Sequence, residues 1–183
     1  MTNKDFYKLE LLGMTRELPI VAVSDDLKIA SFVILGDTEL VCHAAQALCE
    51  KLPEADYLIT AEAKGIPLIF EMSRILQMPT YFVARKSVKA YMQDPLGIAV
   101  QSITTHAEQK LYLDSHDAAL IKGKRIAIID DVISTGQSLQ AVEDLVHKAG
   151  GEVVAKAAIL AEGDAAKRTD IIFLEELPLF PQN

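Results

Sequence analysis

The chain has 183 residues, 50% hydrophobic and 24% charged, enough to fill one hydrophobic core, and it shows no repeat or linker. A net charge of -8 argues against nucleic acid as the main partner, although local loops can still be positive. No apolar run approaches the ~20 residues that span a bilayer, and the polar opening Met1-Thr2-Asn3-Lys4-Asp5 lacks the apolar centre of a signal peptide, so a cytoplasmic location is expected.

Leu18–Val23 and Leu27–Ile34 read as a strand pair or extended flap around the turn Ser24-Asp25-Asp26. Asp37 caps a helix through about Leu52, with Leu40, Ala44, Leu48 and Leu52 on one face. Cys42 and Cys49 fall in this helix and read as small apolar residues of a reduced protein. Asp56–Thr60 is a strand that runs into Ala61-Glu62-Ala63-Lys64-Gly65, followed by a helix over about Ile66–Gln77. A glycine between strand and helix lets the backbone approach a ligand, and Lys64 brings charge beside it. A plain strand-helix turn with a solvated lysine is the bland alternative.

Thr80–Ala84 is a third strand, ending in the cations Arg85-Lys86. Residues 87–109 have no sustained period; a long irregular stretch inside a compact domain is usually functional or mobile. Lys110–Leu113 resumes a strand. Strands alternating with crossover helices imply an α/β fold with a mainly parallel sheet flanked by helices.

The most informative stretch is Arg125–Ser138. It begins as an apolar β-rich run, passes through Asp130-Asp131, and ends in Ser134-Thr135-Gly136-Gln137-Ser138. Leu139, Val142, Leu145 and Val146 then recur at helical spacing, and Gly150-Gly151 supplies a stop. Small hydroxyl residues at a helix start suit a phosphate, because free N–H groups and the helix dipole both favour an anion there. Carboxylates at the strand end accept from sugar hydroxyls and stabilise a developing cation. Phosphate and diol sites side by side point to a phosphorylated ribose. Beyond the helix, Glu152–Leu160 has a buried-strand pattern, Glu162-Gly163-Asp164 opens a loop, and Ile171–Leu174 is a short strand before Leu177-Pro178-Leu179-Phe180.

Strand, Asp-Asp, two spacers, Ser-Thr-Gly and helix in this order resembles the phosphoribosyl-diphosphate (PRPP) signature of the type I phosphoribosyltransferases, with the adenine and xanthine enzymes most similar. The resemblance covers nearly the whole chain, most specifically at 62–65, 85–86 and 128–138. It implies one domain over 1–183, with a hood from 1–35 and 163–183 and a mobile lid at about 87–109. Ser134, Thr135, Gly136, Gln137 and Ser138 would hold the 5-phosphate, and Ala63, Lys64, Gly65, Arg85 and Lys86 the diphosphate. Asp130 and Asp131 would take the ribose hydroxyls directly or through Mg²⁺. These two acids, with Lys64 and Arg85, are the candidate catalytic residues. Phe32 and Val132 would face a purine base, Phe32 by stacking, with a core phenylalanine as the alternative. The family usually forms homodimers.

The resemblance also departs from the adenine pattern. Those enzymes carry a lid glutamate after a Ser-aliphatic pair, whereas Ser102-Ile103 is followed here by Thr104-Thr105, with Glu108 the nearest acid and His106 a candidate proton carrier. Ser102-Ile103-Thr104 and Gly136-Gln137 are similar to xanthine enzymes, yet Ile34 stands where those place an asparagine. The expected reaction is transfer of ribose 5-phosphate from PRPP to a purine, adenine first, with xanthine or guanine as alternatives. A non-catalytic PRPP-sensing regulator is the rival of another class.

Overall fold

The computed structural model describes residues 5–100 and 109–182. Apolar-polar alternation makes β1 (Phe6–Leu11) and β2 (Met14–Ala22), which pair antiparallel about Leu12-Gly13. Both turn residues have positive φ, 52° and 77°, as a tight hairpin that matches strand twist requires. β3 (Leu27–Ala30) returns along β2, so the expected strand pair is present and β1 adds to it. Asp37 caps α1 (Thr38–Lys51), accepting from the Leu40 N–H at 3.1 Å. Leu40, Val41, Ala44, Ala45 and Leu48 form the buried face of that helix.

β4 (Tyr57–Ala61), α2 (Ile66–Ile75) and β5 (Phe82–Ala84) make the first parallel unit. β6 (Leu96–Val100) and β7 (Gln109–Leu113) pair antiparallel outside the main sheet. The stretch expected to be irregular therefore contains a strand, and Lys110–Leu113 runs back along it rather than joining the parallel sheet. The reason is packing: Leu96 and Ile98, with the buried Leu111 and Leu113, share one apolar cluster with α4. The short helix α3 (Ser115–Ile121) was not signalled by periodicity. β8 (Arg125–Ile133), α4 (Gln137–Lys148), β9 (Glu152–Glu162), a 3-10 turn at Gly163–Lys167, β10 (Ile172–Leu177) and β11 (Leu179–Pro181) complete the chain.

The central sheet has the order β10-β9-β8-β4-β5, with every neighbouring pair parallel. This is the expected α/β architecture. Ala127 and Ile129 of β8 enter the core shared with α1, α2 and the hood, while Ile126 and Ile128 enter the core shared with α3 and α4. β11 pairs with β3, placing Leu179 opposite Ile29, so the last strand joins the first three in a four-stranded hood; of the segment 163–183 expected there, β10 instead pairs with β9 in the central sheet. Among the described residues no helix is long and apolar enough to cross a membrane.

Asp56 pins the start of β4 to the start of β8. It accepts from the Arg125 guanidinium at 3.0 Å and from the Arg125 backbone N–H at 2.8 Å, which in that order hold its carboxyl down at about 2. A depressed carboxyl stabilises the fold above its ordinary value, near ~3.9, and loses that contribution as pH falls through the folded value. Asp56→Asn should therefore lower the melting temperature at neutral pH and flatten its decline between pH ~4 and about 2, a difference that scanning calorimetry across that window reads directly.

Candidate active site

Two strand-loop-helix units, β4-α2 and β8-α4, lie side by side in the sheet and open their loops at the same carboxyl edge. Open α/β sheets bind ligands at such an edge. β8 continues through Asp130-Asp131 to Ile133, so the two acids sit within the strand and alternate sides. Asp131 is only 3% exposed, and its N–H donates to Asp130 Oδ1 at 2.8 Å. Lys64 Nζ lies 2.6 Å from Asp131 Oδ2. The ammonium stands off the direction of a proper hydrogen bond, and that buried oxygen has no other hydrogen-bond partner among the described residues. The contact is therefore a charge pair with an acceptor still open. Burial, and next the Asp131 carboxylate, push the Asp130 acid well above the ordinary range, with Lys64 opposing.

Lys64 is placed by the loop between β4 and α2. The Glu62–Ala63 peptide bond in this loop is cis. Gly65 has an ordinary negative φ of -70°, so the need for glycine is one of space. A methyl there would collide with the Thr60 hydroxyl and come within 3.3 Å of Thr60 Cβ. The glycine expected to admit a ligand thus first admits α2 against its own strand. No side chain caps α2. Glu62 ties this loop to the end of β5: it accepts from the Lys86 N–H at 3.0 Å, and its Oε1 lies 3.2 Å from Arg85 Nη2 and 3.8 Å from Lys89 Nζ. These contacts, the Lys86 N–H first, hold the Glu62 carboxyl below the ordinary range despite some burial. Arg85 also donates to the Tyr91 hydroxyl at 3.1 Å, and its buried Nε has no partner among the described residues.

The third loop leads into α4. Gly136 occupies the N-cap with φ 80°, where a side chain is strained, and no side chain caps the helix. The one local hydroxyl contact is long, Gln137 N to Thr135 Oγ1 at 3.5 Å. Ser134, Thr135 and Ser138 are exposed. An uncapped helix start fronted by exposed hydroxyls favours an anion by composition and by dipole.

The structure thus gathers Lys64, Asp130 and Asp131 at one point and holds Arg85 to the same loop through Glu62, while the Lys86 side chain is exposed. Val132, just after the acids, is half-buried. Phe32 is 5% exposed within the core that contains Leu40 and Ile129, so its ring face is not open in this conformation. Ile34 is fully buried. Ser102, Ile103, Thr104, His106 and Glu108 lie outside the described residues. Glu62, Lys89 and Tyr91 were not among the expected site residues. Glu62 stands in the quoted loop, but only the fold brings it to Arg85. No group of three or more metal-binding side chains occurs among the described residues. Asp130 and Asp131, with an open buried oxygen, fit Mg²⁺, a hard cation that keeps waters and substrate oxygens around few protein ligands.

Residues 35–177 match the family model of the phosphoribosyl transferase domain. A hypoxanthine/guanine phosphoribosyltransferase of Methanococcus voltae is 33% identical over 141 residues, 76% of this chain and 71% of that protein. A protein of the same description from Methanocaldococcus jannaschii is 34% identical over 113 residues; the match covers 62% of this chain and 57% of the relative. In fold, the chain is similar to the adenine phosphoribosyltransferase of Rhodothermus marinus, with a TM-score of 0.65, 23% identity and 94% of each chain covered. The Thermoanaerobacter pseudethanolicus adenine enzyme gives 0.65 at 22% identity, covering 78% of this chain and 84% of that one.

The Lys64–Asp131 pair can be measured without any ligand. Lys64 is 45% exposed and Asp131 4% by side chain, so Lys64→Met should cost about 1–2 kcal/mol, less than a fully buried pair because water screens one partner. Adding Asp131→Asn should restore much of that loss. Urea unfolding of the two single variants and the double variant reads the coupling; additive losses would show that the pair contributes nothing.

Proposed function

The chain belongs to the phosphoribosyltransferase family, and from that premise we propose that it transfers ribose 5-phosphate from PRPP to a purine base and releases pyrophosphate. The observation that carries this reading is the meeting of Lys64 with Asp131, 2.6 Å apart, at the sheet edge where the two helix-starting loops open. As the diphosphate leaves, C1 of the ribose becomes cationic. Catalysis then needs cations at the leaving group and anions near the ribose, already in place. Lys64, Gly65, Arg85 and Lys86 bind the diphosphate, with the Ala63 backbone beside them. Asp130 and Asp131 accept from the ribose hydroxyls. Ser134 to Ser138 hold the 5-phosphate against the start of α4. Bound Mg²⁺ would neutralise diphosphate charge, held through the oxygens of Asp130 and Asp131.

In the free protein two of these cations already have a carboxylate: Lys64 has Asp131, and Arg85 has Glu62. PRPP exchanges one anion for another, so the loops need little rearrangement. When the diphosphate draws Lys64 away, the Asp131 carboxylate is released to the ribose. Val132 lies beside the reacting carbon and takes one face of the base; Phe32 can contribute its ring only if the hood shifts. The lid at 87–109 would exclude water from the cation. A single domain over 1–183, a homodimer and a cytoplasmic location belong to the same reading.

For the base we assign hypoxanthine or guanine first, on the strength of the named archaeal relatives, each about a third identical. Adenine, the base first expected from the sequence, is the second reading. It rested on the missing amide at Ile34, a residue that is fully buried in this conformation. A pyrophosphate-release assay with PRPP, Mg²⁺ and each base singly separates these readings. Turnover with hypoxanthine or guanine supports the first, and turnover with adenine alone the second. PRPP binding without product from any base would make the protein a sensor. Asp131→Ala should lower turnover about 100-fold or more; unchanged turnover would remove the acid from the reaction.

A further inference from the structure

The five residues assigned to the 5-phosphate include no cation, yet a 5-phosphate carries close to two negative charges near neutral pH. The structure brings one guanidinium to that loop from a distant part of the chain. Arg168 follows the 3-10 turn Gly163–Lys167, beyond β9. A methyl built on Gly136 would meet Arg168 Nη1 at 2.6 Å and its Cζ at 3.9 Å. The guanidinium therefore lies against the glycine of the phosphate loop, in the space a side chain would fill. Gly136 is required twice, for its φ of 80° and for this approach.

Arg168 is held firmly. Its Nε and Nη2 donate to Asp170 at 2.9 and 2.7 Å, a two-pronged pair that fixes the plane of the guanidinium. Asp170 in turn lies 3.2 Å from Lys156 Nζ, and Lys156 lies 3.1 Å from Glu143 on α4. The chain of alternating charges runs from the helix that starts at the phosphate loop, across β9, and back to the loop. It leaves Nη1, the nitrogen nearest Gly136, outside the Asp170 pair. Half of the guanidinium is anchored, and among the described residues the other half has no partner and can donate.

We propose that Arg168 is a phosphate-binding residue that supplies the cation of the 5-phosphate site, a role resting on the PRPP reading given above. The ligand group it recognises is a phosphate monoester on ribose, not the diphosphate, which Lys64 and Arg85 serve from the other side of the acids. Because the side chain is already ordered, little rotamer entropy is lost when the phosphate arrives.

The test is calorimetric titration of wild type, Arg168→Gln and Arg168→Lys with ribose 5-phosphate and, separately, with Mg²⁺-pyrophosphate, beside steady-state kinetics with PRPP. Arg168→Gln should weaken ribose 5-phosphate about tenfold or more and leave pyrophosphate affinity near wild type. The kinetic loss should fall on KM for PRPP more than on kcat, and Arg168→Lys should recover part of it. Melting temperatures identify a variant that is merely unfolded; in that event Asp170→Asn, which keeps the arginine but removes its anchor, should still weaken ribose 5-phosphate selectively. Equal weakening of both ligands, or of neither, would overturn the assignment and make Arg168 a structural residue. Wild type that binds neither PRPP nor ribose 5-phosphate would instead overturn the PRPP reading, and this inference with it.

Discussion

The contact on which the site depends is the pairing of Lys64 with Asp131 at a buried sheet edge. Asp131 is in the strand, nearly without water, and its Oδ2 has a cation at 2.6 Å but no aligned donor. Left alone, a carboxylate there would carry a large desolvation cost. The lysine offsets that cost in the free protein and leaves the oxygen available. Glu62 does the same for Arg85 from the neighbouring loop. A site meant to separate charge during a reaction needs both signs close together beforehand. Mutual neutralisation keeps them there without a ligand.

The fold makes this possible by placing two strand-loop-helix units next to each other. β4 and β8 pair in parallel, so Lys64 and Asp131, from distant parts of the chain, emerge at one edge. Neither α2 nor α4 has a side-chain cap, and each begins at a glycine. The two glycines serve different ends. Gly65 clears space for Thr60, whereas Gly136 adopts a left-handed turn and clears space for Arg168. The hood is closed by β11 pairing with β3, which commits both ends of the described chain to one small sheet.

Much of this was legible in the sequence. The long periodic helices and the central strands stand out because burial on a parallel sheet makes nearly continuous apolar runs, and Asp37 marks a cap by chemistry alone. The acids and the proposed phosphate loop are adjacent in the chain, so their association needed no tertiary information. The Lys64–Asp131 and Glu62–Arg85 contacts are products of strand order, which periodicity does not encode. Arg168 was hidden for the same reason: Lys167-Arg168-Thr169-Asp170 reads as a solvated charge run until the fold lays it against Gly136. β1 was missed because Leu12-Gly13 is not a usual hairpin turn pair, and β6 because a glycine and its short length obscure the alternation.

The most direct test of the account is a crystal structure with PRPP and Mg²⁺ bound. The account predicts Lys64 Nζ withdrawn from Asp131 and placed on the diphosphate, Asp130 and Asp131 at the ribose hydroxyls, and the 5-phosphate on residues 134–138. PRPP bound elsewhere, or bound with the Lys64–Asp131 contact unbroken at its present 2.6 Å, would contradict the exchange of anions on which the mechanism is built.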